Sequence, residues 1–277
     1  MKAIGKYLKR YQTMIYRLDN FTENGINPIT NQPYDDSWIV WQLTDSKEYK
    51  MMVGSFNSCA YSIKFSRFSD GWEMSVCDFV RFNTKKNKNM ILVISETDLK
   101  SAKEKYAGHS FDEPILRDGE QIYTVHSTSL ESYEQIQKDG CLKSWNLLKF
   151  EKNITEEKPI GSVLGDPRDF SDYIMFGENI AGELVVNSKQ QGKIVMDCNA
   201  EYLTGVRLYL DMKKIVEDGL AVRDGAHLKV KDKLPLKPYL IWTADWENVG
   251  LDSRVSTPKI FTEKANLEFK KRYPQYE

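Results

Sequence analysis

What most constrains this chain is a change of pattern part-way along it. Trp38 to Leu43, Tyr49 to Phe56, Ala60 to Phe65, Gly71 to Phe82 and Met90 to Ser95 follow one another as short, strand-like apolar pieces, and Asp98 to Ala107 reads as a helix. His109 to Glu120 then turns polar, broken by Pro114, Asp118 and Gly119. Beyond it strands and helices follow in a different order. A length of 277 residues suits two domains of ~100–200 residues each. The sequence therefore predicts an α+β protein of two domains, residues 1–118 and 119–277, with the first as an accessory or acceptor-recognition domain.

Within the first domain, Ile4, Tyr7, Leu8, Tyr11, Met14, Ile15 and Leu18 fall at helical spacings, which predicts an amphipathic helix. Ala60 to Phe65 alternates, so one of its faces is expected to meet water. In the second, Gln121 to Val125 reads as a strand running into His126, and Leu130 to Lys138 as a helix capped by Ser or Thr with Gly140 past its end. Trp145 to Gly182 is irregular. Strands are expected at Glu183 to Val186, Lys193 to Cys198, Val206 to Asp211 and Tyr239 to Ala244. Met212 to Asp218 is a short helix stopped by Gly219, Leu220 to Val230 a hairpin around Asp224-Gly225, and Phe261 to Tyr273 a terminal helix.

Composition narrows the function classes. With 41% hydrophobic and 29% charged residues the chain has enough apolar surface to offset the entropy of ordering. Its 39 Lys+Arg balance 40 Asp+Glu, so no whole-molecule field draws it to nucleic acid or membrane. The balance holds in each part: 17 basic against 15 acidic residues up to Asp118, and 22 against 25 after it. Lys85, Lys86 and Lys88 are the local exception, read either as a solvated hairpin tip or as a phosphate-contacting, nucleic-acid-binding loop beside nearby aromatics. The opening segment is too interrupted by charge for a signal core, and no stretch approaches the ~20 apolar residues of a membrane span. Cys59, Cys77, Cys141 and Cys198 are widely spread and the histidines number three, so no metal site is expected and the thiols read as reduced, in a cytoplasmic protein.

No G-x-x-x-x-G-K-S/T loop, G-x-G-x-x-G turn, G-x-S-x-G elbow or H-E-x-x-H pair occurs. The segment with chemical content is Tyr123 to Leu142. A histidine ends a strand, Thr128 follows two positions later on the same side, and a helix begins at once, gathering backbone N–H groups beside His126. That suits a ligand with ribose hydroxyls and phosphates. A hydrogen-bonded core histidine followed by capping hydroxyls is the other reading of the same residues.

His126-Ser127-Thr128-Ser129-Leu130, with Lys138-Asp139-Gly140 after the helix, resembles the H-x-S/T opening motif of the ADP-ribosyltransferase superfamily. In particular it resembles the RNA 2′-phosphotransferases, which read roughly H-G-T-S, helix, K/R-E/D-G-L. A second block agrees in order and spacing: Val206 to Asp211, Glu217-Asp218-Gly219, Val222-Arg223, Leu234-Pro235 and Tyr239-Leu240-Ile241. The resemblance covers about residues 122–242. It implies a mixed β-sheet core with flanking helices, and NAD as co-substrate of a glycosyl-transferring transferase.

The resemblance also implies roles. His126 would bond the nicotinamide-side ribose and amide region of NAD, with Thr128 helping to hold the ribose and Ser127 among the residues binding NAD, and Arg223 would bring positive charge near a phosphate. The L-R-H and R-x-H-V-H-L elements of the phosphotransferases are absent. In place of the second stands Gly161 to Gly177, with Arg168, Tyr173 and Phe176, which is faintly similar to the NAD-contacting loop of DNA ADP-ribosyltransferase toxins. Transfer of ADP-ribose to a nucleic-acid or protein acceptor is thus expected in preference to removal of an RNA 2′-phosphate, with a toxin or phage-conflict setting as a fold-level extension. Glu201 or Asp224 would supply the carboxylate, and His227 reads as a hairpin surface residue. A non-catalytic protein binding ADP-ribose or nucleic acid on the same fold is the alternative.

Overall fold

Residues 13–109, 113–155, 167–177 and 179–276 are described by the computed structural model, a mixed α/β arrangement of helices and several sheets in keeping with an α+β class. The chain divides into two units. One is Met1–Ala107 with the turn Asp224–Ala226, and the other is Gly108–Arg223 with His227–Glu277.

The first unit contains β1 (Ile15–Leu18), a two-residue pair β2 (Ile26–Asn27) and β3 (Gln32–Pro33), β4 (Trp38–Thr44), β5 (Met51–Phe56), β6 (Ala60–Ser66), α1 (Trp72–Thr84), β7 (Asn89–Val93) and α2 (Glu96–Tyr106). Its main sheet runs β1-β7-β4-β6-β5, parallel except for β5, which is antiparallel to β6. Ile15 to Leu18 is therefore a strand and not the end of a helix; the rest of the expected helix, residues 1–12, lies outside the described residues. Pairing with Met90–Val93 gives these residues a backbone ladder that local periodicity does not anticipate.

Gly71 to Phe82 also departs from expectation. Its apolar density reads as strand, but Met74, Ser75, Asp78, Phe79 and Phe82 are buried at helical intervals, and thirteen residues form α1. The β6–α1–β7 segment is thus a crossover between parallel strands, and Lys85, Lys86 and Lys88 sit in a helix-to-strand turn. The alternation in β6 leaves Lys64 alone partly exposed, the other residues of the strand being buried. Phe65 stacks on Trp41, whose Nε1 donates to Ser75 Oγ at 3.1 Å, while Ser62 is buried and Lys64 reaches Glu23 at 2.7 Å on the side carrying Tyr34, Val40 and Ala60. A strand in the parallel part of a sheet is commonly covered on both faces.

The second unit contains β8 (Tyr123–Thr128), α3 (Leu130–Asp139), β9 (Cys141–Lys143), α4 (Trp145–Lys152), a 3-10 turn at Arg168–Asp172, β10 (Tyr173–Ile174), α5 (Ala181–Gln191), β11 (Tyr202–Leu203), β12 (Val206–Asp211), α6 (Met212–Glu217), β13 (Ala221–Arg223), β14 (Leu228–Lys231), β15 (Lys233–Pro235), β16 (Leu240–Ala244), β17 (Val255–Ser256) and α7 (Pro258–Arg272). Two three-stranded sheets, β16-β12-β8 and β10-β14-β13, are antiparallel, and β9–β15 and β11–β17 form pairs. Glu183 to Val186 lies in α5 and not in a strand, because Glu183, Val186 and Asn187 are buried at the three- and four-residue steps of a helix. Lys193 to Cys198 has no regular structure; Ser188 Oγ takes the Val195 N–H at 2.9 Å in place of a strand partner.

β12 divides the core by its alternation. Val206, Leu208 and Leu210 join Leu142, Ile215, Val230 and Leu234 on one side. Tyr209 joins Val125, Val186, Phe261 and Phe269 on the other, its ring 4.2 Å from that of Phe269. Arg207 points the same way as Tyr209 and is fully buried. Its Nη1 meets Glu183 Oε1 at 3.3 Å, Nη2 meets Asn266 Oδ1 at 3.2 Å, and Tyr202 donates to Glu183 Oε2 at 2.6 Å. Burial pushes the Tyr202 phenol far up and keeps it a donor. A buried ion pair contributes little net stability, but removing one member strands the other. Glu183→Leu is expected to lower the unfolding free energy in urea by about 3–5 kcal/mol. Adding Arg207→Met should recover much of that loss, so near-additive losses in the double variant would refute the coupling.

Candidate active site

β8 is the outer strand of its sheet, and its register decides which of the expected site residues can act together. His126 stands opposite Leu208 and Thr128 opposite Val206, so both belong to one face. Ser127 is opposite Arg207 on the reverse face, where α5 passes so close that a Cβ on Gly182 would lie 2.6 Å from Ser127 Oγ. The structure thus brings together two of these three residues expected to bind NAD, His126 and Thr128, and separates Ser127 from them. At the end of β8, Gly205 passes over the strand: a Cβ there would come within 2.0 Å of the Thr128 carbonyl oxygen. Ser129 caps α3, taking the Ser132 N–H at 3.2 Å, and Gly140 closes the helix with a left-handed φ of 64°.

The open edge of β8 is met by the chain leaving β10. Gly177 N–H donates to the Val125 carbonyl at 2.9 Å, and the Met175 carbonyl lies 3.2 Å from His126 Nδ1. A carbonyl only accepts, so Nδ1 carries the proton and Nε2 keeps its lone pair. Phe176 packs edge-on to the imidazole with centroids 6.4 Å apart. Burial pushes His126 down from 6.5 to about 4; the Met175 carbonyl opposes this, and the charge of Lys189 adds to it.

Beside this segment lies a group that sequence reading does not single out. Lys229, on β14, is fully buried, with Nζ 4.2 Å from the Phe170 ring centroid and 4.3 Å from that of Tyr173. A desolvated cation–π contact contributes about 2 kcal/mol or more. His227 meets Phe170 edge-on at 5.5 Å, so it is packed against an aromatic ring and is more than a surface residue of the hairpin. Leu228-Lys229-Val230-Lys231 looks like any half-exposed strand, and only tertiary packing tells the buried lysine from its neighbour. Tyr173, expected to contact NAD, is buried against Lys229. Arg168 opens the 3-10 turn, but its side chain lies outside the described residues, as do residues 161–166.

Arg223 is occupied. Its Nε and Nη2 meet the Glu120 carboxylate at 2.5 and 2.8 Å, and Nη1 and Nη2 donate to the carbonyls of Glu113 and Ile115, each at 2.8 Å. This fork holds residues 113–120 within the second unit. Glu201 is exposed just before β11. Asp224 is buried and accepts the Ala226 N–H at 2.9 Å across its turn. In the first unit, Lys88 Nζ donates to the Asp36 carbonyl and Lys86 lies 5.4 Å from the Phe82 ring centroid. Among the described residues no group of three or more His, Cys, Asp or Glu side chains could hold a metal ion, and no helix is long and apolar enough to cross a membrane.

Comparison of the chain with protein-family models, with curated proteins and with solved structures returns no match.

The lowered His126 pKa has a signed consequence. The unfolded chain takes up this proton near 6.5 and the folded chain near 4, so stability present above pH 6.5 drains away as pH falls between the two, by up to about 3 kcal/mol. His126→Gln should flatten that part of the stability–pH curve. An NMR titration midpoint for the ring near 6.5 in the folded protein would contradict the burial.

Proposed function

We propose that the chain is a cytoplasmic, NAD-dependent ADP-ribosyltransferase acting on a nucleic-acid or protein acceptor, with an ADP-ribosyltransferase-like core in its second unit. The observation that carries this reading is the convergence on one edge of β8. His126 and Thr128 share a face there, α3 begins at the strand's end, and the separate segment Met175–Gly177 holds the imidazole.

The residues at this edge fit a ribose. With Nδ1–H committed to Met175, Nε2 of His126 can accept from a ribose hydroxyl, and Thr128 lies on the same face. Bound NAD would supply a glycosidic carbon from which nicotinamide departs, leaving the ADP-ribosyl unit for a nucleophile on the acceptor. That departure builds positive charge on the sugar, and a neutral ring at neutral pH avoids adding a like charge beside it. The backbone N–H groups at the start of α3 offer partial positive charge to phosphate.

The engagement of Arg223 by Glu120 and two carbonyls favours a second reading, in which the fold binds ADP-ribose or nucleic acid without turnover. Incubation with labelled NAD and candidate acceptors separates the two. The transferase reading expects nicotinamide release that falls at least about tenfold in His126→Ala, the cost of one buried hydrogen bond. No release, or a His126→Ala variant equal to wild type, would sink it. A thermal shift with ADP-ribose, or salt-dependent RNA affinity lost in the Lys85/Lys86/Lys88→Glu variant, would then support the binding protein.

A further inference from the structure

We infer that Lys229 is a positioning residue for His126: its ammonium, held between the Phe170 and Tyr173 rings, fixes the chain that brings the Met175 carbonyl to the imidazole. The register carries the argument. Tyr173 pairs with Lys231 and Ile174 with Val230, and there the ladder ends. Lys229 is level with Met175, one step beyond the last pair. Residues directly opposite in an antiparallel pair share a face, so Lys229 reaches diagonally along the face of Tyr173 and on to Phe170 in the preceding 3-10 turn.

A two-residue strand is a weak anchor for a chain that must place one carbonyl accurately. Gly177 is tied to Val125 beyond Met175, and on the near side two aromatic faces around one buried cation supply the further constraint, with His227 packed edge-on against Phe170. Met175 follows Ile174 directly, so the clamp acts within a few residues of the 3.2 Å contact to His126 Nδ1. That contact selects the tautomer, and hence which ring nitrogen can accept from a ligand. The consequence for NAD turnover rests on the transferase reading; the tautomer itself does not.

The test is performed on the full-length chain labelled with nitrogen-15 at histidine, at pH 7. Three histidines are present, and the His126 signals are assigned by their loss in His126→Gln. Wild type is expected to show His126 wholly as the Nδ1–H tautomer. Lys229→Met should give a mixture with the Nε2–H form, whereas Lys229→Arg, whose guanidinium also lies well over aromatic faces, should keep the wild-type tautomer. Should Lys229→Met fail to fold, Phe170→Leu removes one wall of the clamp and serves for the same measurement. An unchanged Nδ1–H tautomer in folded Lys229→Met or Phe170→Leu would overturn the inference, as would its absence in wild type. The tautomer decides the matter whether or not wild type turns NAD over; if it does, nicotinamide release should fall with the tautomer in Lys229→Met and return in Lys229→Arg.

Discussion

The fully buried Arg207–Glu183 pair fixes the relation between α5 and the sheet that carries the candidate site. Arg207 belongs to β12, Glu183 to α5, and Thr262 and Asn266, which complete the bonds to the guanidinium, belong to α7. Such a network is demanding because low local polarity makes each bond strong and each missing bond costly. With α5 held in this way, Gly182 is pressed against Ser127 and the inner side of β8 is closed. The candidate site is left to the opposite face, where His126 stands.

How much of this was legible in the sequence follows from the range of the interactions involved. The strand–histidine–helix segment at Tyr123 to Asp139 was readable because its determinants are local: a capping serine, helical spacing and a glycine stop. The β12–α6 block and the β13–β14 hairpin were readable for the same reason. α1 and α5 were misread as strands because both are apolar over short windows, and their true period emerges only when Asp78, Glu183 and Asn187 prove buried. β1 is not legible locally because its partner lies more than seventy residues away.

At the site, the sequence marked His126 and Thr128 but not what governs the histidine. A main-chain carbonyl has no residue type, so Met175 could not be singled out. The burial of Lys229 between two rings comes from the packing of β14 against the turn and strand that carry Phe170 and Tyr173, which no composition reveals. Arg223 illustrates the converse. Its sequence context suggests a phosphate ligand, while in the fold its planar fork binds Glu120 and the carbonyls of Glu113 and Ile115, anchoring the segment with which the second unit begins.

Gly205 carries a consequence for strand alignment. The 2.0 Å gap between its missing Cβ position and the Thr128 oxygen means that no other residue can occupy this crossing without displacing backbone. A slip of β12 against β8 by one residue would bring Thr204 or Val206 to that oxygen and would set His126 opposite Arg207 or Tyr209 in place of Leu208. The absent side chain therefore works as a register lock: it keeps the imidazole level with Leu208 and away from the buried arginine of the neighbouring position.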